Sequence, residues 1–339
     1  GQKQEFTVEL FPQGALNKGG KIYIHPAMCR FGFDALRVES DEPGFSLESL
    51  LLVPVAVDDP FMPLPADLGT LLLYDPEYWR NPDFELFSWT RFPGILLIDT
   101  RNYDVQSRFF KRIAFFVEKK GFAGRLLDDG TMEPLHGWNA HDYRAFDLAA
   151  FFDRAFKEQF PLCNEERILF ELLKRNGVVR ETGMGIEPGS GGILSVSQES
   201  ERSLRRVFLV HEGYHGVFFS DTAYADAVNE VWEDLSEGEK QFWSSFLSSK
   251  QYNVLDPYLL VNEFQAYLMQ QSPESADSYY KNYIIPQMIA NDPKLAPVLK
   301  DFIERYPDTF VKSARAVSAS AKSTVGVAAG DLLGIRPAD

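Results

Sequence analysis

Cysteine is almost absent from this chain: Cys29 and Cys163 are the only two in 339 residues, with no CxxC spacing. That excludes a metal site built on cysteine. The two thiols are expected to be buried singly, a disulfide between them being the other reading. Long apolar runs are missing too. None reaches the roughly 18 residues of a membrane-spanning helix, and Gly94–Ile98 and Val207–Val210 are strand-length or interrupted. Positive charge is scarce, 34 Lys and Arg against 49 Asp and Glu, for a formal net charge of -15. Nucleic acid, which needs a basic face, is therefore not an expected partner. No GxSxG elbow occurs, and Gly183-x-Gly185 is not followed by the Gly-Lys-Ser/Thr of a phosphate loop. No methionine precedes Gly1. This fits removal of a leading segment, a secretory signal included, and leans the expected location to the extracytoplasmic side.

What is present suffices for a substantial core. Hydrophobic residues make up 45%, and the length allows two domains or one elaborated domain. Short strands are expected at Phe6–Phe11, Lys21–His25 and Leu50–Val57, punctuated by Gly19-Gly20 and stopped by Pro60, Pro63 and Pro65. Gly94–Asp99 reads as a buried strand. Val105–Lys119 reads as a helix with the stripe Phe109, Ile113, Phe116 and Val117. Further on, helices are expected at Asp142–Phe160 and at Glu165–Arg175, the latter closed by Gly177. Thr182–Gly192, with five glycines, reads as a loop, and Ile193–Val196 as a short strand. The periodicity then predicts helices at Glu199–Phe219, Ala223–Leu235, Glu237–Leu247, Pro257–Gln271, Tyr279–Ala290 and Leu295–Tyr306, with a loosely held tail after Lys312. The class expected is α+β: a mixed α/β region over residues 1–135, then a mainly helical domain over 136–339.

Five histidines are thinly spread, yet two fall four apart in Val210-His211-Glu212-Gly213-Tyr214-His215-Gly216. On a helix both imidazoles leave the same face and can reach one metal ion. Glu212 lies beside that face, placed to take a proton from a metal-activated water and return it to a leaving amine. Zinc would lower the pKa of such a water to about 7. The flanks Phe208, Leu209, Tyr214 and Val217 carry no charge, so the motif is expected to be buried. A structural network of two histidines and Glu212 is the plainer alternative, at the cost of burying charge without a metal. Gly213 and Gly216 each cost a helix about 1 kcal/mol relative to alanine, which suggests close approach by another element or by substrate.

The HExxH pattern resembles that of zinc metallopeptidases of the zincin group. No histidine follows His215, so the branch that uses a third histidine is excluded. The resemblance is to the gluzincin branch, in which a glutamate on a later helix completes the site. It covers the active-site helix and one later helix. Asp234 and Glu233 stand at a plausible spacing, but they fall off the apolar stripe of their helix. Glu263 sits inside one, with Leu259 and Leu260 a turn before and Ala266 and Tyr267 a turn after. A carboxylate there needs a partner, and a metal ion is a ready one. The string Asn262-Glu263-Phe264-Gln265-Ala266-Tyr267 resembles a gluzincin ligand helix, although 47 residues (216–262) intervene.

The resemblance implies Zn2+ held by His211, His215 and Glu263, Glu212 as general base, and a peptide or protein substrate. A tyrosine, histidine or arginine should stabilise the oxyanion, with Tyr267 and His141 as candidates. Tyr267 could equally be a core aromatic. His136 and His141 could line a cleft, hold a second metal or be ordinary surface residues. Ile193–Val196 is expected as the edge strand on which substrate pairs, with Gly189–Gly192 as a flap or a plain loop. The alternative is a non-catalytic peptide- or protein-binding protein with a structural or vestigial zinc site, against which the intact Glu212 argues. Metal-dependent hydrolysis of another bond is a third reading.

Overall fold

The computed structural model describes residues 5–10, 23–28, 35–39, 49 and 58–337. Strands β1 (Glu5–Leu10), β2 (Ala35–Glu39) and β3 (Leu64–Ala66) open the chain, followed by the short helix α1 (Thr70–Leu73), β4 (Phe84–Trp89) and β5 (Ile95–Thr100). Next come α2 (Tyr103–Val117), α3 (Asp129–Met132), β6 (His141–Arg144), α4 (Ala145–Lys157) and α5 (Asn164–Arg175). A hairpin, β7 (Val179–Thr182) and β8 (Gly185–Pro188), leads to β9 (Gly192–Ser197). The rest is helical until the last strand: α6 (Arg202–Ser220), α7 (Thr222–Glu233), α8 (Glu237–Ser249), α9 (Pro257–Met269), α10 (Pro273–Tyr279), a π turn at Tyr280–Ile284, α11 (Ile285–Asn291), α12 (Ala296–Arg305), α13 (Thr309–Thr324) and β10 (Ile335–Pro337). Helix accounts for 56% and strand for 13%, a mixed α and β chain. No described helix is long and apolar enough to cross a membrane.

Two compact units result, and they interleave. One comprises residues 1–110, 139–209 and 333–339, the other 111–138 and 210–332. Against the single boundary expected near 135, the chain passes between the units four times, at 110/111 within α2, at 138/139, at 209/210 within α6 and at 332/333.

The first unit is built on a five-stranded sheet ordered β3-β4-β5-β9-β6. Strands β5 and β9 pair in parallel at its centre and are buried at every position, as expected of strands covered on both faces. Gly94 and Gly191, both at positive φ, meet where these strands begin, and a Cβ on Gly191 would fall 1.9 Å from the Gly94 carbonyl oxygen. Gly189 N donates to Val178 O, and Ala145 N to Gly191 O. The Gly189–Gly192 segment is therefore a pinned connection and not a flap. Beneath the sheet, Arg205 near the start of α6 grips Asp99 of β5 with both terminal nitrogens and donates to the Leu71 carbonyl.

Three local expectations change in this unit. Residues 141–144 form an edge strand antiparallel to β9, not the first turn of a helix. Its buried side chains His141 and Tyr143 alternate with the partly exposed Asp142 and Arg144, the period of a strand. Consequently β9 is paired on both sides, and β6, not β9, is the sheet edge among the described residues. Residues 179–188, expected within or beside a loop, form a hairpin docked on α4, where Ile186 N donates to Asp153. Tyr23–His25 is not a strand and runs into a 3-10 turn at Pro26–Met28; Leu50–Val57 lies outside the described residues, as does Cys29. Cys163 is a free, half-buried thiol at the N-cap of α5, donating to the Arg108 carbonyl.

In the second unit α9 is buried nearly all round and packs against α7, α8, α10 and α13, the mark of a central helix. Its start is set by Pro257 at the first turn and by Asp256, which accepts from Tyr258 N and Leu259 N. Aromatic rings fill the space beside it: Trp243 meets Phe264 edge-on, Phe242 stacks on Phe302, and Tyr280 stacks on Phe310. The segment after Lys312, expected as a loosely held helix with an extended end, is helical to Thr324 and packed. It continues α13, whose Phe310, Ala314, Val317 and Ala321 are buried. The helix expected over Tyr279–Ala290 is a π turn at Tyr280–Ile284 followed by α11, and it continues directly from α10.

Candidate metal centre

Helix α6 brings His211 and His215 to one face, as i, i+4 spacing dictates. Both are buried, 7% and 1% exposed. Their Nε2 atoms stand 3.1 Å apart. From α9, Glu263, itself 1% exposed, points its two carboxylate oxygens at the pair: Oε2 lies 3.7 Å from His211 Nε2 and Oε1 3.6 Å from His215 Nε2. Donors around a tetrahedral zinc at bonds of about 2.0–2.1 Å are separated by about 3.3–3.4 Å. The nitrogen–nitrogen separation and the two distances to different oxygens of Glu263 span that edge length, and one ligand atom of each of the three residues lies within 4.8 Å of the others, so the set could hold such an ion.

Protonation agrees with ligation. Burial pulls both imidazoles down to about 4, outweighing the Gln270 hydrogen bond at His211 and the Glu263 charge at His215. Both rings are neutral at pH 7 and offer lone pairs. His211 Nδ1 is 3.1 Å from Gln270 Oε1. An amide oxygen can only accept, so Nδ1 carries the proton and Nε2 is the free lone pair. Asn262, next to Glu263, is held by Gln265, whose Nε2 donates to Asn262 Oδ1 and to Tyr214 O while Tyr224 OH donates to its Oε1.

Glu212 is buried, and one of its oxygens lies within 4.8 Å of a ring nitrogen of His215. Its side chain is thus beside the donor set without being needed to complete it. The competing carboxylates are elsewhere. Asp234 is exposed at the C-cap of α7, and Glu233 is exposed and paired with Lys240 at 2.8 Å. Gly213 and Gly216 are buried with the rest of the motif.

Tyr267 lies one helical turn after Glu263. Its ring meets His211 edge-on at 4.7 Å and Phe246 at 4.9 Å, and its hydroxyl shares a hydrogen bond with Tyr252. Burial raises both phenols well above 10, with the Glu263 charge adding to it. Tyr252 stacks on Trp138, whose face also receives the Lys119 ammonium at 3.0 Å. His141 belongs to the first unit, buried on β6 with Nδ1 3.0 Å from the Tyr143 hydroxyl and its ring stacked on Phe110. His136 is exposed, falls in the other unit, and joins no group of three or more candidate ligands among the described residues. The pair does not form a second site.

Four residues at this site were not foreseen. Asn262 and Gln270 flank Glu263 at -1 and +7, and the two-turn spacing of Gln270 was a usable signal. Tyr252 and Glu118 had none. They meet the site through a short pairing of residues 118–120 with 251–253, in which Asn253 N donates to Glu118 O and Lys120 N to Gln251 O. A Glu118 oxygen lies within 4.8 Å of one of Glu263.

No family model, curated protein or solved structure matches the chain.

Proposed function

We propose that this chain is a zinc-dependent peptidase that hydrolyses peptide bonds, with His211, His215 and Glu263 holding the metal and Glu212 as general base. The observation that carries the reading is a buried cluster of two neutral imidazoles and one carboxylate, with the ring nitrogens 3.1 Å apart and the two oxygens of Glu263 at 3.6 and 3.7 Å from them, one oxygen each. Three protein ligands leave a tetrahedral ion one open position. Adjacent to that set, a glutamate is available as a proton carrier. The order of elements, a sheet followed directly by the HExxH helix and later by a glutamate-bearing helix, agrees with the zincin resemblance.

When bound, zinc would supply a Lewis acid and a water acidic enough to ionise near neutrality. The chain's own groups do the rest. Glu212 accepts the proton of the attacking water and delivers it to the departing amine nitrogen. His211 and His215 stay neutral through the cycle because burial disfavours their charged forms. The Tyr252–Tyr267 pair keeps its hydroxyl protons at any physiological pH and remains a hydrogen-bond donor beside the carboxylates.

A peptide-library or casein assay on the zinc-loaded protein tests the reading. Hydrolysis that disappears on chelation and returns with zinc is expected. Zinc binding without hydrolysis of any peptide would favour a binding protein instead.

A further inference from the structure

His211 is backed by an uncharged amide, Gln270, which caps the C-terminus of α9, the helix that carries Glu263. Gln270 Oε1 accepts from His211 Nδ1 at 3.1 Å, and the same side chain hydrogen-bonds the Tyr279 hydroxyl. Residues 263, 267 and 270 recur at i, i+4 and i+7, one face of one helix. That face therefore contributes a ligand carboxylate, the Tyr267 ring against His211, and the His211 backing group.

A metal-ligating histidine needs a partner on its second nitrogen to fix its tautomer, and carboxylates commonly serve. Here Glu118, Glu212 and Glu263 are already buried at the site. A fourth carboxylate behind His211 would crowd more negative charge into it, whereas an amide fixes the tautomer and adds none.

We propose that Gln270, steadied by Tyr279, is a positioning residue that presents His211 Nε2 to a divalent cation while holding down the charge of the site. The proposal rests on the metal-centre reading above. Its consequence is graded. Gln270→Ala frees the imidazole to rotate and to take the other tautomer, and should weaken zinc binding by about 10–100-fold. Gln270→Glu keeps the acceptor oxygen and should restore affinity to at least that of the wild type. In the metal-free state it should lower stability, through the added carboxylate. Tyr279→Phe removes only the outer anchor and should cost a few-fold.

Competition titration of the metal-free full chain with zinc against a chromophoric chelator reads these values directly, and thermal melts of the same metal-free samples report whether each variant folds. Ordered affinities, Gln270→Glu at or above wild type and Gln270→Ala well below, support the proposal. Equal zinc affinity for wild type and folded Gln270→Ala overturns it while leaving the metal centre standing. So does a Gln270→Glu variant that folds but binds no better than Gln270→Ala. A wild-type chain that binds no zinc overturns both.

Discussion

The Nε2 atoms of His211 and His215 face each other at 3.1 Å, each on a ring that burial keeps neutral to about pH 4. At that separation one nitrogen can donate to the other or both can turn to a shared cation. The Gln270 acceptor removes one of the alternatives, a proton on His211 Nε2. On the proposed reading the shared cation is completed by Glu263, and the predictions below follow from that reading.

Glu212→Gln should reduce peptide hydrolysis by at least the 10²–10⁴-fold associated with a general base, with one zinc per chain retained. Activity assays beside elemental analysis check both halves. Loss of zinc in this variant would move Glu212 into the ligand set.

Glu263→Gln should lower zinc affinity by more than about 100-fold, since a ligand lost costs more than an outer-sphere partner. Asp234→Asn and Glu233→Gln, both on exposed carboxylates, should leave it unchanged. Zinc titrations of the three variants separate the ligand assignments.

The buried pair between Arg205 and Asp99 anchors the start of the HExxH helix to β5. Removing one partner strands the other charge, so Arg205→Met should cost about 3–5 kcal/mol in urea unfolding. The double replacement Asp99→Leu with Arg205→Met should recover much of that loss. A double variant no better than the single would show that the pair is a net gain in place.

Lys119 supplies a pH signature. Burial lowers it to about 8 from 10.5, against the opposing Glu118 charge. Between those two values the unfolded chain holds more protons than the folded one, so this group makes stability rise with pH from about 8 to 10.5. Stability curves for wild type and Lys119→Met should diverge across that window, the variant lacking the rise. Parallel curves would mean that the ammonium on Trp138 is not desolvated.

How much of this was legible depended on whether the deciding contacts were local. Helices α2 and α5 to α9 followed from apolar periodicity, with Gly177 as the expected stop of α5, all signals within a few residues. Glu263 was legible because a carboxylate among Leu259, Leu260 and Ala266 is a chemical anomaly. Gln270 was missed because an amide raises no alarm, although its two-turn spacing from Glu263 was there to be read. Strand β6 was hidden because His141–Arg144 runs straight into an amphipathic helix, and its strand state is decided by pairing with Ile193–Ser195, some fifty residues on. The hairpin β7–β8 was hidden by its glycines. The interleaving of the units had no local signal at all, because nothing within α2 or α6 marks residues 110 or 209 as the places where packing partners change.

The most direct test is anomalous scattering at the zinc absorption edge from crystals of the zinc-loaded full chain. The account predicts one strong peak within bonding distance of His211 Nε2, His215 Nε2 and a carboxylate oxygen of Glu263, with Glu212 outside the ligand set. A peak that engages Glu212, Asp234 or Glu233 in place of Glu263, or no peak at the two histidines, would contradict it.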